Sequence, residues 1–399
     1  MQAAAADRQD HGVSPWRITL SGLSACLVGI GLARFAYTPL IPALIEAGWF
    51  SPSDAVYLGA ANLAGYLAGA LLARPMAGRV GATTALRAMM LLATAAFFAC
   101  ATPISFAWYF LWRVASGLSG GALMALAAPV VLPHVPPSRH GLAGGAIFTG
   151  VGLGIAASGT IVPLLLRVGL METWIGLGAL SLLLTVIAWG GWPRTGRLGD
   201  GRSHREKPAK SLPLRALYLE YGLVAAGLVP HMVFLVDFVA RGLGQGIDAG
   251  GWYWVLFGVG ALLGPLVAGS VADRIGFGAT LRLSFVVQAL FVGLLVVADD
   301  AIALAVSSLV IGAFVPGVVP LVLGRVNELL PDDAGQRQAA WGLATTAFAA
   351  GQAAAAYGYS FLFDQTGSYA PLFAIGGAAM LAALVIDLAV TGLGQRQRR

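Results

Sequence analysis

Long apolar runs alternate along this chain with short polar or Gly/Pro-rich breaks. The runs cover 17–44, 54–78, 83–101, 103–133, 140–168 and 173–193, and after a polar stretch 212–240, 249–272, 277–298, 301–327, 337–363 and 369–391. A helix crosses a hydrocarbon core of about 30 Å in about 20 residues, at about 1.5 Å each. The runs are long enough for that and apolar on every face. A transmembrane β-barrel would show segments of about ten residues alternating apolar and polar, so that architecture is excluded. The pattern predicts an all-α membrane protein with twelve transmembrane helices. The first 16 residues are polar, and the apolar run after them is about twice the length of a signal-peptide core. The first helix is therefore expected to remain as a membrane anchor.

Composition agrees. Only 11% of the 399 residues are charged, 58% are hydrophobic, and the mean hydropathy is +0.80. A soluble protein carries roughly a quarter charged residues, and so few could not cover the surface of a water-exposed fold. The charges are also placed unevenly. Of 24 Lys and Arg residues, 20 fall in the exterior segments on the side of the N-terminus, among them Arg8, Arg17, Arg74, Arg79, Arg87, Arg139, Arg274, Arg282, Arg325 and Arg337. Arg167 and Arg241 fall on the other side, which instead collects Glu46, Asp54, Glu172, Asp248, Asp299, Asp300 and Asp364. Lys/Arg asymmetry sets membrane orientation, so both termini are expected in the cytoplasm. The net charge of +6 is a topology signal, and a nucleic-acid partner is not expected. Cys26 and Cys100 sit inside apolar runs, and His134 and His140 flank a short loop with no third ligand nearby. No disulfide framework, metal site or cofactor is predicted.

The segment from Arg194 to Lys210 is the one long hydrophilic stretch. It reads as a basic tether near anionic headgroups and divides the chain into a first unit (1–193), a linker (194–211) and a second unit (212–399). Sliding the second unit back by 195 residues places Arg274, Gly276, Leu281 and Arg282 on Arg79, Gly81, Leu86 and Arg87, and Pro331 on Pro136. One offset at two separate places argues for a duplicated six-helix unit, with the parallel repeats that one class of transporter folds uses.

After the eighth run the chain reads Gly269-Ser-Val-Ala-Asp273-Arg274-Ile-Gly276. This resembles the signature loop of major facilitator superfamily transporters, G-x-L/V-A-D-R-x-G. The resemblance implies a cytoplasmic latch, with Asp273 pairing near helix ends and Arg274 gripping a neighbouring carbonyl end. The first-half copy around Arg79 departs from the pattern, having Gly78 where the aspartate should be and Arg74 in place of the leading glycine. The fourth run carries Arg113-Val-Ala-Ser-Gly117-Leu-Ser-Gly-Gly121, which resembles the superfamily's R-x-x-x-G-x-x-x-G motif. In proton-coupled relatives that arginine is associated with coupling; read structurally, it bonds carbonyls or snorkels outward. Gly117/Gly121, with Gly65/Gly69, Gly150/Gly154 and Gly260/Gly264, have helix-packing spacing and are expected at the seam between the halves. The first run, Gly29-Ile-Gly31-Leu-Ala-Arg34-Phe35-Ala-Tyr37-Thr-Pro39-Leu-Ile-Pro42, and the seventh, with Tyr221, Gly222, Gly227, Pro230 and Phe234, resemble the YbfB/YjiJ branch of the superfamily. Covering essentially the whole chain, the resemblance implies the superfamily's twelve-helix fold in two pseudo-symmetric bundles, transport activity and a multi-pass protein of a bacterial cytoplasmic membrane.

A buried arginine at mid-membrane costs about 2.5–3.5 kcal/mol on insertion scales, so Arg34 needs either a partner or a water-filled cavity. In facilitator folds the first and seventh helices line the central cavity. Two readings follow: Arg34 holds an anionic substrate such as a carboxylate through its guanidinium fork, or it forms a structural ion pair. The seventh helix adds His231 and Asp237, candidates for proton coupling with Arg113, and Glu220 nearer the cytoplasm. His231 and Asp237 lie six residues apart, on faces about 120° from each other. Asp237 and Arg241 are four apart and can pair instead, and Pro230 predicts a kink. Tyr37, Asn62, Tyr66, Gln288, Gln352 and Tyr357 are further cavity candidates or interhelical hydrogen bonds. No nucleotide loop, H-E-x-x-H or G-x-S-x-G motif is present, and no loop recurs that would build a channel filter. The expectation is a monomeric secondary transporter of a small organic solute, coupled to protons; an exporter of neutral or cationic compounds, with Arg34 structural, is the alternative.

Overall fold

The computed structural model describes residues 14–136, 140–193, 211–330 and 334–397, and among them it contains helices and no strand. The helices are α1 (Pro15–Glu46), α2 (Pro52–Val80), α3 (Ala82–Ala99), α4 (Phe106–Val131), α5 (His140–Leu166), α6 (Leu170–Trp189), α7 (Leu212–Gly242), α8 (Gly246–Ile275), α9 (Phe277–Val297), α10 (Ala301–Leu329), α11 (Ala334–Thr366) and α12 (Ala370–Gln397). Eleven of them are long and apolar enough to cross a membrane. The helix outside that set is α11, which has the length (33 residues) but carries Gln336, Arg337, Gln352 and Gln365. The basic linker 194–210, Pro331 and Arg139 lie outside the described residues.

Helix ends follow local chemistry. Ser51 and Ser105 accept from the backbone N–H groups of Asp54 and Trp108, each at 3.1 Å, and Asp300 Oδ1 accepts from Ile302 and Ala303 at 3.0 and 3.2 Å. These caps satisfy first-turn donors that have no partner inside the helix. The break between α2 and α3 is one residue, Gly81 at φ +86°, and that between α8 and α9 is Gly276 at φ +83°. Only glycine adopts this backbone without steric cost, and the two turns lie at the 195-residue offset.

That offset also governs packing. Gly65 and Gly69 of α2 lie against the Val114 and Leu118 carbonyls of α4, so close that a Cβ would sit 2.1 and 2.0 Å from them; Gly260 and Gly264 of α8 meet Leu309 and Ala313 of α10 at 2.0 and 1.8 Å. Reciprocally, Gly117 faces the Asn62 carbonyl and Gly312 the Phe257 carbonyl. Each residue in one set is 195 positions from its counterpart. These glycines therefore join helices inside each half, and Gly150/Gly154 likewise pack on α1 at Leu23 and Gly31. Their expected place at the seam is corrected. The seam between α5 and α8 uses the next face of α5: Gly152 against Leu262, Gly159 against Gly251, and Ala156 against Gly258, with Trp254 Nε1 donating to Ser158 Oγ at 3.0 Å. A helix turns 100° per residue, so positions two apart point to different neighbours.

The exterior is apolar, with Val297 84%, Ile302 76% and Leu266 73% exposed, while Arg113, Glu220, His231, Asp237, Gln288 and Gln352 are buried. This inversion is what a lipid-facing surface requires.

Candidate functional site

The two helices expected to face a central site are also the most irregular. In α1 the regular helix ends at Cys26, a π-helical stretch runs from Leu27 to Leu32, and a 3₁₀ stretch runs from Phe35 to Leu40. Ala33 and Arg34 form the break between them. Pro39 and Pro42 lack the N–H that would continue an α-helical ladder. In α7 a π-helical stretch starts at Pro230 and a second runs from Phe238 to Gly242. Such departures recur at functional sites and free backbone groups for other bonds.

Arg113 takes up one of them. From α4 its Nη1 donates to the Ala33 carbonyl at 3.0 Å, joined there by Ser116 Oγ at 3.0 Å, and its Nε approaches the Leu58 carbonyl at 3.5 Å. Its guanidinium lies 4.0 Å from the centre of the Tyr37 ring, a cation–π contact. Tyr37 in turn donates to the Ala55 carbonyl at 2.8 Å. Asn62 Nδ2 donates to the Arg113 carbonyl and to Ser116 Oγ, both at 3.3 Å. Arg113 is thus spent on holding the break in α1.

Arg34 is not. It is partly buried; its guanidinium lies 5.0 and 5.1 Å from the Phe35 and Tyr66 rings, and its Nη2 points at Met232 Sδ of α7, 4.0 Å away. Among the described residues neither Arg34 nor Arg113 has a carboxylate within 4.0 Å. Both arginines line one cavity with Tyr37, Thr38, Asn62 and Met232, of about 20 Å³, room for about one water. Thr38 Oγ1 donates to the Met232 carbonyl at 2.7 Å and ties α1 to α7 beside it. Gln352 of α11 reaches the same sulfur, with Nε2 3.4 Å from Met232 Sδ.

The structure therefore brings Arg34, Tyr37, Asn62, Arg113 and Gln352 together around Met232, with Tyr66 against the Arg34 guanidinium. The other candidates lie apart. His231 faces away, its Nε2 2.7 Å from Ser307 Oγ and its ring against Phe373. Because Ser307 donates its proton to the Phe291 carbonyl at 2.6 Å, Nε2 is the donor to Ser307, and Nδ1 is left unpartnered. Asp237 accepts from Arg241 Nε at 2.7 Å and from the Tyr369 hydroxyl at 2.5 Å, a cluster joining α7 to the turn just before α12. Gln288 donates to the Ser284 carbonyl at 3.1 Å within α9. Tyr357 lies beside Tyr57, ring centres 6.4 Å apart.

At the α8–α9 turn, Asp273 and Arg274 are exposed, with no hydrogen-bond or ion-pair partner among the described residues, and Gly269 has open space beside it. Arg79 is likewise exposed. The contact that ties this turn to α10 comes from Glu328, which accepts from the Phe277 N–H at 2.9 Å and pairs with Arg325 at 2.8 Å. Glu328, Thr38 and Met232 escaped the sequence reading. A Thr before a proline inside an apolar run was the available signal for Thr38; a methionine in such a run carries none.

Residues 26–388 match the family model described as uncharacterised MFS-type transporter YbfB, and the chain belongs to that transporter family. It is a multi-pass membrane protein of the major facilitator type. It is 27% identical to a chloramphenicol resistance protein of Streptomyces lividans over 91% of this chain and 94% of that protein. It is also 27% identical to the putative uncharacterised transporter YgaY of Escherichia coli K12, over 47% of each chain.

Proposed function

We propose that this protein is a secondary transporter of a small organic anion, working by alternating access between two six-helix units, 1–193 and 212–399, joined by the 194–211 linker. The observation that carries the reading is Arg34: a partly buried guanidinium with no carboxylate within 4.0 Å among the described residues, beside a cavity lined from both halves of the chain. A structural arginine in this setting has its partners, as Arg113 does. Contacts between the halves join the Tyr37–Leu44 end of α1 with the C-terminal part of α7, α5 with α8, and α2 with α11, where Tyr57 meets Tyr357. This supports a rocking seam that is shut on the side where α1 ends. By the arginine asymmetry that side is the exterior, with both termini in the cytoplasm of a bacterial cell and the protein in its inner membrane. Proton coupling is assigned to His231, whose buried Nδ1 has no partner.

The test is Arg34→Lys in purified protein reconstituted in liposomes. Replacing the planar fork with an ammonium forfeits a charge-assisted hydrogen bond of about 1.5–3 kcal/mol, so carboxylate affinity should fall about 10- to 150-fold with folded protein retained in the membrane. Equal loss of protein and transport would favour a structural arginine. Substrate accumulation that survives collapse of an imposed pH gradient would remove the coupling assignment.

The name of the Streptomyces relative favours a second reading, an exporter of uncharged or cationic compounds. Chloramphenicol that stabilises the protein equally with Arg34 or Lys at this position would favour it.

A further inference from the structure

We propose that the Arg34 site recognises a hydroxycarboxylate, a small acid carrying a hydroxyl group next to its carboxylate. The inference rests on the anion reading above and narrows it.

Two donors and two acceptors around Met232 lack proper partners. The donors are Arg34 Nη2 and Gln352 Nε2, which converge on one thioether sulfur at 4.0 and 3.4 Å. Sulfur is a weak acceptor, and methionine's unbranched side chain has three rotatable bonds and moves aside readily. A carboxylate in place of the sulfur would serve an arginine from α1 and an amide from α11 at once. It would thereby bridge the two halves of the chain.

The acceptors are Asn62 Oδ1 and Gln352 Oε1, both without a donor and both on residues only 1% exposed. The orientation of the Asn62 amide is fixed by its neighbours. The Arg113 carbonyl can only accept, and Ser116 spends its proton on the Ala33 carbonyl, so the Asn62 NH₂ must face them. The free end of Asn62 is its oxygen, and that residue lines the same cavity as Arg34. A carboxylate alone satisfies donors only. A ligand that also satisfies Asn62 must bring an O–H or N–H.

Charge decides between those two. With two guanidinium groups and, among the described residues, no carboxylate within 4.0 Å of either, an ammonium would meet repulsion from both. A neutral hydroxyl meets none. The cavity of about 20 Å³ has room for about one water, so an acid enters only as Met232 swings out.

The experiment compares matched acids on the detergent-purified full chain by thermal shift and titration calorimetry. The probes are lactate, propionate and alanine, which share a three-carbon skeleton, and mandelate with phenylacetate, which add a ring for Phe35 and Tyr66. The expected result is binding of the hydroxy acid at least about tenfold tighter than its deoxy partner in one pair or both, with no binding of alanine. Asn62→Leu should bring the hydroxy acid down to the deoxy acid's affinity. The wild-type comparison needs no variant, so a poorly folding Asn62→Leu leaves the test intact. Equal affinity within both pairs, lost on Arg34→Lys, overturns the hydroxyl assignment and keeps the anion site. Alanine binding as well as lactate overturns the charge argument. If none of the five compounds binds, the anion reading falls with it.

Discussion

The seam between α5 and α8 can be tested by adding one methyl group. At Gly258 a Cβ would sit 2.3 Å from Ala156 N, 2.5 Å from its Cα and 2.7 Å from its Cβ. Carbon atoms in contact prefer about 3.5–4.0 Å, so Gly258→Ala requires the two helices to part by roughly 1 Å. Gly312, where α10 meets α8, is as crowded: its Cβ would be 2.0 Å from the Phe257 carbonyl oxygen. Overpacking of this kind costs about 1–3 kcal/mol. The consequences differ if α5 and α8 belong to units that rock while α8 and α10 move as one. Gly312→Ala then has no alternative conformation to escape into, and its cost appears as a lower unfolding midpoint. Gly258→Ala escapes by leaving this conformation, and about 1–3 kcal/mol shifts that equilibrium about 5- to 150-fold. Spin labels at Val168→Cys, just past the end of α5, and Trp252→Cys, near the start of α8, at residues 74% and 71% exposed, report the separation by double electron–electron resonance. The expected result is a longer distance in Gly258→Ala with an unfolding midpoint near wild type. An unchanged distance together with a midpoint as low as that of Gly312→Ala would show that α5 and α8 form a fixed contact, and the rocking seam would have to be abandoned.

Two further outcomes follow from the geometry. Gly81→Ala places a side chain at φ +86° and should cost about 1–2 kcal/mol in thermal unfolding, whereas Gly78→Ala, with open space around it, should be neutral or stabilising. Asp237→Asn breaks the buried pair with Arg241 and the Tyr369 bond and should lower stability by about 3 kcal/mol; transport that keeps its dependence on a pH gradient in this variant would confine coupling to other residues.

Length and apolarity made the helices legible. Starts read from the sequence lie within three residues of those observed, because a hydrocarbon core sets a minimum run and a polar break ends it. The long end of α12, running to Gln397, was missed because polar residues past the apolar run can extend a helix into water. The break in α1 was missed as well: Gly29 to Phe35 satisfies an apolar helix pattern whether or not its ladder is regular, and only Pro39 and Pro42 hinted otherwise. Arg34 and Asn62 were visible as polar residues in apolar runs. Nothing in the sequence could pair Arg34 with Met232, 198 positions away, since a thioether carries no charge or pattern that marks it as an acceptor.

The 195-residue register bears on where the polar groups sit. Glycine contacts hold α2–α4 and α8–α10 in one register, so Asn62 corresponds to Phe257, Tyr66 to Ala261 and Arg113 to Ser308. The first half keeps a guanidinium, an amide and a phenol at these three positions. The second half keeps a phenyl ring, a methyl and a hydroxyl whose oxygen, on Ser308, has no partner. Gly65, Gly69 and Gly117 are glycine in both copies, as Gly260, Gly264 and Gly312, and at each a Cβ would meet a carbonyl at about 2 Å. At Asn62, Tyr66 and Arg113, where the first copy carries polar side chains, the second copy carries different residues. One charged wall facing a softer one, closed by Met232 and Val233, lets the halves meet when the site is empty. On the anion reading proposed above, the ligand is then the group that supplies the missing charge when the site is filled.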